Sequence, residues 1–296
     1  MENILQITNV SKSYDTTKAL DNVSILVPKG TIHGIIGENG AGKTTLIKAL
    51  VGIHTVDEGK ILFDNQEIYE NNEIKKRIGY VADQNQYFKG YKIKNLVEFY
   101  SKTYPNFYTE KFHEYNKQMN LGLNKKVRQL SKGMQMRLSI MLTLSINPDL
   151  LILDEPTSGL DAMAKQSVLE WVVEEVEKRE MTVLIASHHL SELEKLCDAV
   201  TIIEKSKVTH QADTDALKEE ICRLQVVFKN KVPEDIMSWE GVKEVKSIGS
   251  IYYIVSTMPY EDMKAKLESV DTLIVERIPL SLEEAFVCMH KKGVNE

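Results

Sequence analysis

The chain is poor in cysteine: only Cys197, Cys222 and Cys288 occur in 296 residues, with no C-x-x-C pair and no spacing suited to zinc. A disulfide framework and a thiolate zinc site are therefore not expected, and the three thiols read as reduced and without assigned function. Long apolar runs are missing as well. No uncharged stretch reaches about 18 residues, and Met1-Glu2-Asn3-Ile4 lacks the basic and apolar regions of a secretory leader, so no membrane crossing is expected. Nor is there an excess of positive charge. Lysine and arginine number 37 against 43 acids, a net charge of -6, which argues against a nucleic-acid surface. No internal repeat or low-complexity tract interrupts the chain, and 43% of it is hydrophobic, enough for one large or two modest domains.

Two segments carry chemistry. The first, Gly37-Glu38-Asn39-Gly40-Ala41-Gly42-Lys43-Thr44-Thr45, follows an apolar run from His33 to Ile36 and opens an amphipathic helix. Its glycines allow a tight loop whose N–H groups converge on an anion, reinforced by the positive end of the helix dipole. Lys43 is placed to reach the β- and γ-phosphates of a nucleotide, and the Thr44 hydroxyl to ligate Mg²⁺. By composition such a spacing arises by chance in about 1% of chains this long. The second segment, Leu150-Leu151-Ile152-Leu153-Asp154-Glu155-Pro156, ends a buried strand on two acids. Asp154 can hold the same ion through water, and Glu155 is free to act on water, the division that nucleotide hydrolysis requires.

Short strand patterns open the chain at Leu5 to Val10, Asn22 to Val27, Thr31 to Ile36 and Lys60 to Asp64. From about Lys92 the pattern turns helical, through Lys94 to Tyr104, Tyr108 to Met119 and Met134 to Asn147. Strands Leu150 to Leu153 and Thr182 to Ala186 flank the helix Ala164 to Arg179, a βαβ unit of a mostly parallel sheet, which Ala199 to Glu204 continues.

The ordered set of motifs over roughly the first 210 residues resembles the nucleotide-binding subunit of an ATP-binding cassette (ABC) transporter. Beyond the two segments above, Leu130-Ser131-Lys132-Gly133-Met134 stands in the place of the family's signature, Ser158-Gly159-Leu160-Asp161 is similar to its D-loop, and Ala186-Ser187-His188 ends a strand where the family keeps its switch histidine. The resemblance implies an α/β P-loop NTPase cassette, with a mostly parallel sheet, an antiparallel β subdomain and a helical subdomain. It also implies that ATP and Mg²⁺ are bound. It assigns Tyr14 to adenine, His188 rather than His189 to the γ-phosphate, Ser131 and Gly133 to the γ-phosphate on a partner cassette, and Asp161 of the D-loop to nucleotide binding. Pairing would be head to tail, with a second copy or a homologous cassette.

Two positions depart from the family pattern. Ala82-Asp83-Gln84 replaces the usual Pro-Gln, so either Asp83 or Gln84 takes the metal-contacting role, and Lys132 and Met134 stand where Gly and Gln are common. Ten of the 21 aromatic residues fall between Tyr87 and Tyr115, in the helical subdomain expected at about 85–146. In the family this region receives the transmembrane subunit, and aromatic enrichment fits an interface; a satellite core with tyrosine hydroxyls reaching water fits equally.

The cassette is expected to span 1–212. From 213 to 296 a βαββαβ rhythm suggests a small accessory α+β domain of ferredoxin-like type, with helices at Glu234 to Trp239 and Tyr260 to Glu268 and a last helix opened by a Ser281/Glu284 capping box and carrying Phe286, Val287 and Met289. Similar extensions in bacterial exporters tilt the reading towards export through a polytopic membrane subunit, with the chain held on the inner face of the cell membrane by that partner. A soluble cassette switch acting on DNA or the ribosome, and a low-turnover nucleotide sensor, are the alternative classes. No feature of the sequence names the cargo.

Overall fold

The computed structural model describes residues 2–83, 88–188, 190–219 and 221–285. The chain divides into two compact units, Met1–His189 with Leu196–Gln211, and Leu190–Lys195 with Ala212–Glu296. The last helix's Phe286, Val287 and Met289 lie outside the described residues, although the Ser281 hydroxyl and the Glu284 carboxylate do form the expected reciprocal cap.

The first unit opens with two long strands, β1 (Asn3–Tyr14) and β2 (Thr17–Pro28), each extending past the segment that its alternating apolar residues marked. They pair antiparallel, and β4 (Glu58–Phe63) and β5 (Gln66–Glu67) complete a sheet of order β2-β1-β4-β5. The second sheet is built from β3 (Ile32–Ile36), β6 (Ile78–Val81), β7 (Leu150–Asp154), β8 (Thr182–Ser187), β9 (Ala199–Glu204) and β10 (Lys207–Asp213), in the order β10-β9-β3-β8-β7-β6. Strands β9, β3, β8, β7 and β6 run parallel. All residues of β3, β7 and β8 are buried, as expected of strands covered on both faces, which is why they read as continuous apolar runs rather than alternating ones.

Helix α1 (Lys43–Leu50) follows β3 and presents Leu46, Ile47 and Leu50 to a core that also takes Leu5, Ile7 and Phe63 from the antiparallel sheet and Leu150, Ile152 and Leu184 from the parallel one. After the short α2 (Asn72–Lys75) come α3 (Ile93–Thr103), α4 (Thr109–Met119) and α5 (Lys132–Ser145), the helical subdomain. Helix α6 (Ala162–Arg179) joins β7 to β8. Its Glu175 accepts hydrogen bonds from Lys111 and Tyr115 on α4 and from its own Arg179, tying the helical subdomain to the sheet-side helix.

The second unit contains α7 (Leu190–Leu193), α8 (Thr214–Glu219), β11 (Cys222–Phe228), β12 (Val242–Ile248), β13 (Ile251–Ser256), α9 (Tyr260–Glu268) and β14 (Thr272–Ile278). Its sheet has the order β12-β13-β11-β14. The insertion of β13 between β11 and β12 makes this a split βαβ arrangement. One expected helix is absent. Between Pro233 and Gly241 the chain forms only a 3₁₀ turn, Ile236–Ser238, bounded by a proline at one end and a left-handed glycine (φ 83°) at the other. Among the described residues no helix is long and apolar enough to cross a membrane.

Candidate functional site

The loop between β3 and α1 is shaped by two glycines that no other residue can replace. Gly42 lies at φ 111°, and a side chain there would also meet the Ala19 carbonyl oxygen at 2.4 Å. At Gly37 the obstacle is the Ile203 carbonyl, again at 2.4 Å. Being glycine, Gly42 gives α1 no side-chain cap, so the first N–H groups of the helix are left for an external acceptor. Lys43 folds back over the loop, its ammonium donating to the carbonyls of Gly37 (2.5 Å) and Glu38 (3.2 Å).

These residues line one side of a cleft of about 930 Å³, together with Asn39, Gly40, Thr44 and Thr45. Across it stand Asp154 and Glu155 at the end of β7, and Asp83 after β6. Thr44 hydrogen bonds Asp154 through its side chain. Burial raises the Asp154 carboxyl above its usual range, and the charges of Glu155 and Asp83 push in the same direction, only partly opposed by the Thr44 bond and Lys43. Burial lowers the Lys43 ammonium, against the pull of Glu155 and Asp154. The cleft is thus short of positive charge beside a set of hard oxygen donors, the chemistry of a Mg²⁺ site. Among the described residues no group of three or more His, Cys, Asp or Glu could cage a metal.

Glu155 has a left-handed backbone, φ 50°, which costs a non-glycine residue on the order of 1–3 kcal/mol. Its N–H donates to the Ala186 carbonyl (2.9 Å), so the end of β8 fixes the conformation. Its carboxylate oxygens reach His188 Nδ1 at 2.8 Å and the Ser187 hydroxyl at 3.3 Å. His188 is therefore joined to the cleft through Glu155, and His189 lies outside the described residues.

The remaining residues of the sequence reading are not at the cleft wall. Tyr14 is exposed and packs edge-on against His54, with centroids 5.8 Å apart; His54, not Tyr14, lines the cleft. Ser131 caps α5, accepting from the Met134 N–H (3.2 Å), and Asp161 caps α6, accepting from the Ala164 N–H (2.8 Å). Gly133 packs against Leu160, which holds the α5 N-terminus on the loop after β7. Of the two residues weighed for the metal, Asp83 lines the cleft and Gln84 lies outside the described residues.

The structure adds groups the sequence did not mark. Lys132 reaches Asp83 (3.4 Å) and the Ser158 hydroxyl (3.3 Å), so the two departures from the family pattern are partners of each other. Phe88 and Tyr100 form an aromatic wall of the cleft.

A family model described as ABC transporter matches residues 20–158. ABC transporter ATP-binding protein YtrB of Bacillus subtilis is 33% identical over 284 residues, covering 96% of this chain and 97% of YtrB. Lantibiotic transport ATP-binding protein SrtF of Streptococcus pyogenes is 34% identical over 232 residues, 77% of this chain and 100% of SrtF. Among solved structures, cbiO1 of Clostridium perfringens, part of the ABC transporter complex cbiONQ, superposes with a TM-score of 0.63 at 28% identity, covering 73% of this chain and 91% of cbiO1. A loop built to receive phosphates, facing an aspartate–glutamate pair, in a chain alike to YtrB over nearly its whole length, places the protein in the ATP-binding subunits of ABC transporters, a family of ATP hydrolases.

Proposed function

We propose that this subunit binds ATP with Mg²⁺ between two head-to-tail copies and drives export through a separate transmembrane subunit that holds it on the inner face of the membrane. One observation carries the reading: the phosphate loop and the two acids share one cleft that the family-signature residues do not line. Lys43, Thr44, Asp154 and Glu155 line it, whereas Ser131 and Gly133 at the α5 N-terminus, and Asp161, are exposed or half-exposed and do not. A second copy in antiparallel orientation brings its own signature residues to the cleft. The direction of transport is supported by the likeness to SrtF, a lantibiotic transport cassette.

In this reading the loop N–H groups and Lys43 bind the triphosphate, and Tyr14, steadied by His54, offers a face to adenine. Thr44 and Asp154, with Asp83, would hold the Mg²⁺, which neutralises phosphate charge when bound. Glu155 takes the proton of the attacking water, and His188 and Ser187, which contact its two carboxylate oxygens, position it to do so. Loss of the γ-phosphate then removes the charge that joins the two copies, and the opening is passed to the membrane partner.

Glu155→Gln tests the pairing, because it blocks proton abstraction and spares the phosphate contacts. Size exclusion with ATP and Mg²⁺ is expected to show a dimer for this variant and a monomer once nucleotide is removed. Monomeric elution under both conditions contradicts the reading.

A further inference from the structure

A second cavity, of about 310 Å³, lies between the last turn of α1, the loop that follows it and strand β4. Its walls are Ala49, Val56, Ile61, Ile68 and the ring of Tyr69. The charged neighbours Lys60 and Glu67 are exposed and alternate with the buried Ile61 and Ile68, so along an extended backbone their side chains belong to the opposite face. The polar side chains left to the cavity are His54, Thr55 and the Tyr69 hydroxyl.

Apolar walls gain contacts by closing on one another, yet the frame of this cavity holds them apart. The chain leaving α1 is pinned by the Ile53 and His54 N–H groups, which both donate to the Lys48 carbonyl, at 2.8 and 3.1 Å. Its far end is pinned by Asp57, whose N–H donates to the Ser11 carbonyl (2.9 Å) and whose carboxylate accepts from the Lys12 ammonium and the Ser13 N–H, both at 2.7 Å. Gly59 then turns left-handed, φ 81°, where any side chain would meet the Thr8 and Asn9 carbonyl oxygens at 2.4 Å. The arch from 52 to 59 therefore cannot settle onto Ile61 and Ile68.

His54 is common to two sites. It lines this cavity and the nucleotide cleft, and it packs edge-on against Tyr14 with centroids 5.8 Å apart. We propose that the cavity binds an uncharged, largely aromatic small molecule carrying one hydrogen-bonding group, and that this ligand tightens ATP binding by fixing His54 and, through it, Tyr14. The coupling rests on the adenine reading of Tyr14 given above; occupancy of the cavity does not. A charged ligand would give up its hydration among aliphatic walls without an ion partner, whereas an aromatic ring supplies the contacts those walls lack and offers its polar atom to His54 or Thr55. An immobilised His54 has less motion to lose when nucleotide arrives, which raises affinity without a new contact to ATP. Linkage then requires nucleotide to tighten the ligand by the same factor.

The test uses the full-length protein and three probes that share one ring system and differ in charge: indole, tryptamine and indole-3-acetate. In titration calorimetry indole is expected to bind with a dissociation constant of about 0.1–1 mM, and about ten-fold more tightly than either charged analogue. The non-hydrolysable nucleotide AMP-PNP with Mg²⁺ is expected to tighten indole about five-fold, and indole to tighten AMP-PNP equally. Displacement of indole by AMP-PNP would put indole in the nucleotide cleft itself and overturn the proposal, as would equal binding of the three probes. Val56→Phe, which fills the cavity, is expected to abolish indole binding and keep nucleotide affinity; Tyr69→Ser, at an exposed wall, is expected to weaken indole about ten-fold and decides the matter should the first variant not fold. Unchanged indole binding in a folded variant overturns the proposal. His54→Leu is expected to retain indole and lose the mutual tightening, and tightening that survives this change overturns the role of His54. Failure of AMP-PNP to bind sinks the nucleotide function, whereas intact AMP-PNP binding without indole binding sinks only the cavity's assignment.

Discussion

Lys132 and Asp83 lie 3.4 Å apart at the mouth of the cleft, 49 residues apart in sequence, and each stands where its family keeps a neutral residue. Asp83 adds to the negative field at Asp154, which Lys43 opposes, and Lys132 is the ion-pair partner of Asp83 itself. Both side chains are more than a third exposed, so the pair is worth only about 0.2–1 kcal/mol. Lys132→Met is expected to weaken ATP binding in the presence of a chelator by about two- to five-fold, because metal-free ATP meets an unscreened carboxylate. In an Asp83→Asn background the same change is expected to have no effect. A cycle of the four proteins by fluorescent-nucleotide titration measures this coupling directly, and identical losses in both backgrounds would show that the two residues act independently.

Glu175 is the polar anchor of the helical subdomain. It is buried, and burial alone would raise its carboxyl; the hydrogen bonds from Lys111 (2.5 Å) and Arg179 (2.6 Å) outweigh that and hold it below the usual carboxylate range. Its stabilising contribution is therefore complete above the ordinary glutamate range and is lost as pH falls through the lowered value. Glu175→Ala leaves Lys111 without its partner in a half-buried setting and is expected to cost about 3–5 kcal/mol in urea unfolding at neutral pH. A loss under about 1 kcal/mol would mean that water replaces the carboxylate without difficulty.

His33 sits in the middle of β3 with no solvent exposure, its Nε2 2.7 Å from the Thr201 hydroxyl and its Nδ1 without a partner. Burial lowers its pKa from 6.5 to about 4. The unfolded chain therefore binds a proton that the native chain refuses, and stability falls as pH drops from about 6.5 towards 4, by up to about 1.4 kcal/mol per pH unit from this one group. Above pH 6.5 the group contributes no slope. His33→Gln keeps a donor and acceptor for Thr201, and denaturation at a series of pH values is expected to show a shallower acid slope for the variant than for the native protein. Parallel curves would remove His33 from the acid response.

The phosphate loop and the Asp154–Glu155 pair were legible in the sequence because each is a contiguous segment whose chemistry is local, and helix α9 falls where its periodicity put it. Strands β1 and β2 run longer than their alternating cores, since pairing with each other extends both. The helix expected at Glu234 to Trp239 shrank to a single turn, bounded by the proline and glycine at its ends. Contacts between distant segments were out of reach. Lys132 gave no sign of its partner Asp83. His33 read as one polar residue in an apolar run; only burial on both sides of a central strand made it a titrating core group.

The central claim is that each working site takes Lys43 from one copy and Ser131 from another. Lys43→Ala and Ser131→Ala each damage both sites of a homodimer, but a mixed dimer contains one site with both residues intact and one with neither. Phosphate release from an equal mixture of the two variants, each nearly inactive alone, is expected to recover to about a quarter of the native rate, since half the dimers are mixed and each has one whole site. A mixture no more active than the sum of the separate variants would contradict the account.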